Sequence, residues 1–238
     1  MGGEVFDTAS LLDVCPSLGA GLSEEERFEA RPELRVPTVA LRRGDWDEDL
    51  SEPGGFGVLL LEGALLRHIA AGRRQSIEVL IAGDLVRPWQ KDPASFVDSS
   101  FSVLKESRVA VLEEDFIQRA CRWPALIDAL FERTTRRARS NATQATINSS
   151  TGIYLRVLFS FWHLAERCGV ETESGIVVPL PLTHQLVSEL VGAQRSSVSA
   201  ALSRLAAAGA LRRTEENGWI LHPSSANLLP VTRRRVLA

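Results

Sequence analysis

Long apolar runs are missing from this sequence of 238 residues. No stretch approaches the roughly 18 to 20 consecutive apolar residues that a membrane helix requires, so a membrane protein is not expected. The N-terminus lacks a basic segment followed by an apolar one, and Phe6 stands where a myristoylation signal after Met1-Gly2 needs Ser or Thr. The expectation is a chain that stays in the cytoplasm. Cysteine is scarce too: Cys15, Cys121 and Cys168 form an odd set with no CxxC pair and no histidine at metal-ligand spacing. This pattern points to reduced, structural thiols and away from a disulfide scaffold.

A positive net charge is also absent, the balance being -3 with a pI near 5.9. Proteins that neutralise phosphates need clustered Lys and Arg, so the average speaks against a nucleic-acid partner. It conceals an asymmetry. From Pro179 to the end, seven Arg and no Lys face three Glu, a local balance of +4 that leaves -7 for residues 1–178. The run Arg233-Arg234-Arg235 supplies three of those charges, and such terminal runs are more often solvated tails than binding sites. Charge permits a DNA-binding C-terminal region without establishing one.

Between about Leu34 and Leu112 the sequence alternates short β-like runs with glycines, the clearest being Val58–Leu61, Ala64–Ala70 and Ile77–Ile81. Glu62-Gly63, Ala71-Gly72-Arg73 and Gly83-Asp84 are placed as turns between strands, because they tolerate positive φ or bond their own backbone. Pro88–Asp98 reads as a loop before two more strands, Phe101–Lys105 and Arg108–Leu112. A small antiparallel barrel or roll results. From Glu114 the period becomes helical, with a short helix and then a long one from Pro124 to about Ile147. Leu126, Ile127, Leu130, Phe131 and Ala138 make the long helix apolar only in part, while Arg133, Arg136, Arg137, Arg139, Asn141, Gln144 and Asn148 make the rest polar. Such a helix suits a bridge or a partner helix, or else a solvated surface. The next, Ile153 to Arg167, is rich in large apolar residues and is expected to be buried.

The stretch from Leu182 to His222 carries the most information. Thr183 suits an N-cap, and Leu186, Val187, Leu190 and Val191 give one apolar face that ends at Gly192. From Gln194, Val198, Leu202 and Leu205 recur at helical spacing, leaving Arg195, Ser196, Ser199 and Ser203 on the opposite side. Two short helices with a tight turn form a helix-turn-helix. Leu211–Thr214 and Trp219–His222 flank Glu215-Glu216-Asn217-Gly218, whose Asn-Gly pair is a strong hairpin signal and completes a winged helix. Arg195 at the exposed entrance of the second helix can donate two parallel hydrogen bonds to guanine O6 and N7.

The Leu182-Thr183 start, the Val191-Gly192 turn, Arg195 three residues later, Val198 and the Leu202-x-x-Leu205 ending resemble the helix-turn-helix of the cyclic-AMP receptor protein and fumarate-nitrate regulator (Crp/Fnr) family. Gly63, Gly72 and Gly83-Asp84 are similar to that family's β-roll sensor, and the long helix to its dimerisation helix. The resemblance implies an α+β fold in three parts. These are an N-terminal antiparallel β-roll of the cyclic-nucleotide-binding kind (residues 1–122), a dimerisation helix (123–148) and a C-terminal winged helix-turn-helix (149–238).

It further implies a transcription regulator, not an enzyme, that binds double-stranded DNA as a homodimer on a two-fold symmetric operator, with RNA polymerase as a further partner. Arg195 would read guanine, and Thr183 and Gln194 would hold phosphates. Ser196 and Ala200 replace a Glu and an Arg of the best-known members, which changes direct readout together with Ser199; His184 replaces a basic phosphate contact. Leu126, Ile127, Leu130, Arg133 and Arg137 fall on the dimer helix.

Cyclic-nucleotide members carry Gly-Glu after the Gly-Asp turn and a later Arg, where this chain has Arg87-Pro88 and Ser99, so cyclic-AMP binding of the usual kind is not expected. Arg67, Arg87, Trp89 and Ser99 are the candidate lining of an altered pocket; no cofactor is assigned and the effector stays unnamed. The N-terminal cysteine cluster of an iron-sulfur sensor is missing. Two alternatives stand beside this reading. One is a cupin-like metal enzyme, for which His68 is the only histidine in the roll, His163, His184 and His222 lying outside it. The other is an effector-free, constitutive DNA binder.

Overall fold

The computed structural model describes residues 7–46, 55–72, 74–88, 95–150 and 152–228. The chain divides into two compact units, Met1–Gly72 with Glu78–Ser140, and Arg73–Ile77 with Asn141–Ala238. In chain order the elements are β1 (Asp7–Ser10), α1 (Leu11–Val14), α2 (Glu24–Glu33), β2 (Arg35–Leu41), β3 (Gly44–Asp45), β4 (Gly57–Ala71), β5 (Arg74–Ile81), β6 (Leu85–Val86), β7 (Asp98–Leu112), α3 (Phe116–Ala120) and α4 (Pro124–Asn148). After these come α5 (Ile153–Cys168), β8 (Val170–Thr172), β9 (Gly175–Val178), α6 (His184–Leu190), α7 (Arg195–Ala207), β10 (Leu211–Arg213) and β11 (Trp219–Leu221).

The first unit is built on a sheet ordered β1-β2-β7-β4-β5, with β3 added to β7 and β6 to β4. Strand β7 runs antiparallel to β2, β3 and β4, as do β1 to β2 and β6 to β4, which is the pairing expected of a roll. Two expected strand breaks are absent. Val58–Leu61 and Ala64–Ala70 belong to the single 15-residue strand β4, and Phe101–Lys105 and Arg108–Leu112 to the single 15-residue β7. Glu62-Gly63 is a bulge within β4 where the register against β7 slips. Gly63 has φ +88°, and a Cβ there would overlap the Glu106 carbonyl and Ser107 of β7, so close strand approach requires glycine. The Gly83-Asp84 joint does turn the chain: Gly83 has φ +90° and the buried Asp84 carboxylate accepts the Ile81 N–H at 2.9 Å.

Alternation along the strands fills the roll with Val39, Leu41, Val58, Leu60, Leu65, Leu80, Val103, Val109 and Val111. A second cluster joins Leu11, Leu18, Leu34, Leu59, Phe116, Trp123, Leu126 and Leu130. The helix α2 was not anticipated, although its start is a reciprocal cap: the Glu26 N–H donates to Ser23 Oγ at 3.2 Å and the Ser23 N–H to the Glu26 carboxylate at 2.7 Å.

In the second unit α5 buries Val157, Leu158, Phe161, Trp162 and Leu164, as its composition requires. The expected wing hairpin is half of a larger sheet, ordered β10-β11-β9-β8 and antiparallel throughout. Strands β8 and β9 were not anticipated. No helix among the described residues is long and apolar enough to cross a membrane.

Candidate nucleic-acid interface

Helix α6 begins where Thr183, extended at φ -78° and ψ 164°, turns its hydroxyl to accept the Leu186 N–H at 3.2 Å. The helix stops after Leu190, and Gly192 at φ +61° reverses the chain toward Gln194. From there α7 runs on a buried stripe of Val198, Ala201, Leu202 and Leu205. A helix with one face locked in this way must turn the other outward. Gln194, Arg195, Ser196, Ala200 and Ser203 are exposed and Ser199 is half-buried. Thr183, Gln194, Arg195, Ser196 and Ala200 thus sit on accessible surface at the start of α6 and along the first turns of α7.

The wing is tied to the entrance of α6. Arg213 of β10 donates to the Leu182 carbonyl at 2.8 Å and Trp219 Nε1 donates to the same oxygen at 3.1 Å. The Arg213 guanidinium also lies 5.0 Å over the Trp219 ring, and that ring packs on Phe161 at 4.9 Å. The hairpin closes through Thr214 N–H to the Gly218 carbonyl at 3.0 Å, Gly218 N–H to Thr214 Oγ1 at 2.8 Å, and Asn217 at φ +62°. Sequence reasoning passed over Arg213 and Trp219 as site-builders. Their signal was cross-strand pairing, which places them opposite each other.

His184 is not an isolated surface cation. Its Nδ1 lies 2.9 Å from Ser199 Oγ, joining the first residue of α6 to the second turn of α7. The ring stands 6.4 Å from Trp219. Burial, then the nearby cations Arg213 and Arg195, hold its pKa below the ordinary histidine value. The polar end of α4 also finds its use here: Gln144 Nε2 lies 3.0 Å from Ser160 Oγ and 3.3 Å from the Leu190 carbonyl, and Asn148 Nδ2 donates to the same carbonyl at 2.9 Å. Two side-chain amides therefore hold the C-terminal carbonyl of α6, a group left without an intrahelical partner.

Of the four candidate pocket residues in the roll, Arg67, Arg87 and Ser99 are among the described residues. Arg67 and Ser99 share a sheet face, since Arg67 opposes Phe101 and Ile69 opposes Ser99 in the regular part of the β4–β7 ladder. Arg87 lies by the opposite end of β4, donating to the Phe56 carbonyl at 2.6 Å with its guanidinium 5.3 Å over the Phe56 ring. Trp89 lies outside the described residues.

Arg67 instead faces Glu78, at 3.8 Å. Glu78 is buried and accepts two hydrogen bonds from Arg137, at 2.6 and 2.8 Å, a bidentate pair. Glu78 was missed; its signal was a single carboxylate within the apolar strand Ile77–Ile81. Among the described residues no three His, Cys, Asp or Glu side chains converge as a metal site needs.

The residues expected on the dimer helix are mostly turned into their own unit. Leu126 and Leu130 are buried in its core, Ile127 packs against it, Arg133 donates to Ser17 Oγ at 2.5 Å, and Arg137 holds Glu78. The uncovered side of α4 carries Phe131, 68% exposed.

Residues 156–229 match the family model described as a Crp-like helix-turn-helix domain. No curated protein matches the chain in sequence. Among solved structures, the chain is similar to FixK2 from Bradyrhizobium japonicum, with 15% identity, a TM-score of 0.63 and coverage of 80% of this chain and 94% of that one. A CRP-family transcriptional regulator from Thermus thermophilus matches at 18% identity and TM-score 0.58, over 79% of this chain and 93% of the other. A cyclic nucleotide-binding domain containing protein from Listeria monocytogenes matches at 13% and 0.63, over 77% and 88%. Residues 156–229 therefore form a Crp-like helix-turn-helix domain, and the chain shares its fold with these regulators.

Proposed function

We propose that the chain works as a homodimer that reads a two-fold symmetric operator, placing one α7 in each of two successive major grooves about 34 Å apart. The observation that carries this is the outward face of α7: Arg195 is exposed in its first turn, beside exposed Gln194, Ser196 and Ala200, on a helix whose other face is buried. Arg195 supplies the bidentate guanine contact, Thr183 and Gln194 the phosphate contacts that set register, and Ala200 a surface for a thymine methyl.

The dimer seam that α4 supports is Phe131, Thr135, Ala138, Ala142 and Ala145. Their alternating spacing of four and three residues is that of a coiled-coil stripe, and Phe131 stands at its exposed start. Residues 1–122, 123–148 and 149–238 then serve as sensor, dimer helix and DNA-binding part, in the cytoplasm, with RNA polymerase as the partner through which operator binding alters transcription.

In the roll, Glu78 already faces Arg67, one of the two candidate cations for an anionic effector, and Arg137 holds Glu78 from α4. This supports a regulator not gated by cyclic AMP, and it favours the effector-free form of the reading. Selection of bound sequences from random DNA, with sedimentation of the free protein, tests the proposal. A palindromic consensus and a dimer that Phe131→Glu dissociates are expected. Monomers in solution, or a non-palindromic consensus, would overturn it.

A further inference from the structure

We propose that His184 sets the hydrogen-bonding polarity of Ser199, so that protonation of the imidazole switches which bases Ser199 selects. The inference rests on the reading that α7 enters the major groove, and it deepens it.

A serine hydroxyl carries one proton, and Ser199 Oγ lies 2.9 Å from His184 Nδ1. With the imidazole neutral and its proton on Nε2, Nδ1 is an acceptor and the hydroxyl proton is committed to it. The outward side of Oγ then offers lone pairs only, which accept from the exocyclic amino group of cytosine or adenine. When Nδ1 takes up a proton from solvent it becomes the donor, and Ser199 keeps its own proton but turns it outward. The same hydroxyl now donates to guanine N7 or O6, adenine N7 or thymine O4. One proton is gained, none is lost, and the side chain reverses its role without moving.

The surroundings suit such a switch. The charged groups acting on the ring are Arg213 from β10 and Arg195 from α7, both cations, and Trp219 of β11 packs nearby at 6.4 Å. Burial first, and then these two cations, favour the neutral imidazole in the free protein. A DNA phosphate approaching Nε2 selects the tautomer with its proton there and opposes the two cations, which favours proton uptake. DNA binding and protonation are thereby coupled.

The test uses the full chain. Sequences are selected from random DNA at about pH 5.5 and about pH 8, on either side of the histidine range, with wild type, Ser199→Ala and His184→Asn, each checked for an unchanged melting temperature. In the wild type, the preference at one base pair per half-site is expected to change about tenfold between the two pH values, toward guanine or thymine on acidification. Both variants are expected to be flat. A pH-independent wild-type preference, or a shift that survives in Ser199→Ala, overturns the proposal.

Arg195→Ala separates this from the groove reading. If it loses specific binding while the preference stays pH-independent in the wild type, only the switch falls; if it keeps specific binding, the groove reading falls and the switch with it. Long-range nitrogen-15 NMR of His184 in the wild-type complex reads the same event without a variant. Nδ1 should be an acceptor at the higher pH and protonated at the lower, and an unchanged signal overturns the switch.

Discussion

Arginine has opposite environments in the two units. In the first unit, Arg137 of α4 is largely buried and held by a bidentate carboxylate, with Arg67 on the same Glu78. On α7, Arg195 is exposed and makes no hydrogen bond or ion pair among the described residues. A guanidinium removed from water needs its counter-charge built in, whereas one left in water keeps its five donors for an incoming partner. The same residue type thus reports internal structure in one unit and, in the proposed function, a reading surface in the other, and only its surroundings tell which.

That contrast can be broken at the roll first. Glu78→Gln leaves the Arg137 charge buried without its carboxylate, and a loss of about 3 kcal/mol in urea-denaturation stability is expected, as for other broken buried pairs. Added acetate or phosphate should restore part of it by binding the freed cations. A change under about 0.5 kcal/mol, the size of an ordinary surface substitution, would show that the pair is not internal structure.

Arg195→Ala should do the reverse. Stability stays within about 0.5 kcal/mol of wild type, while specific DNA affinity in a gel-shift titration falls by about 1 to 3 kcal/mol and preference at one guanine per half-site relaxes. Equal losses on specific and random DNA would reduce Arg195 to a phosphate contact.

Thr183→Ala removes the cap of α6 and is expected to cost about 1 kcal/mol of stability, read by thermal or urea melting. Thr183→Ser should recover most of it.

The smallest effect concerns pH. His184 has a folded-state pKa below its unfolded one, so the unfolded chain binds more protons in the interval between them. Its contribution to stability is therefore complete above about pH 6.5, the unfolded value, and is lost as pH falls through the lower, folded one. Stability of the free protein should rise with pH across that interval, and His184→Asn should flatten the slope.

Where backbone signals are local, the sequence was readable. Thr183 as cap, Gly192 as turn, the Val198-Leu202-Leu205 stripe and the Asn217-Gly218 reversal all act within a few residues of themselves, and each appears in the structure as expected. Glu62-Gly63 shows the limit. A glycine with positive φ serves a turn or a bulge equally well, and the choice depended on Glu106 and Ser107 in a strand more than forty residues away. Strands β8 and β9 escaped because they are short and because β9, on which β8 pairs, takes its support from the distant β11. The inward face of α4 was not legible for a related reason: period shows that Leu126 and Leu130 share a side but not whether that side meets a second chain or the core of its own unit.

By itself, then, the sequence determined a strand-rich part followed by helices, the helix-turn-helix with its wing, and the position of Arg195 at the entrance to its second helix, because propensity, capping and periodicity are local properties of the chain. Only the tertiary structure decided that Glu78 neutralises Arg67 and Arg137, that Arg213 and Trp219 fasten the wing to Leu182, and that His184 meets Ser199. Each of these depends on which distant backbone brings two side chains within hydrogen-bonding distance, and no local signal encodes that.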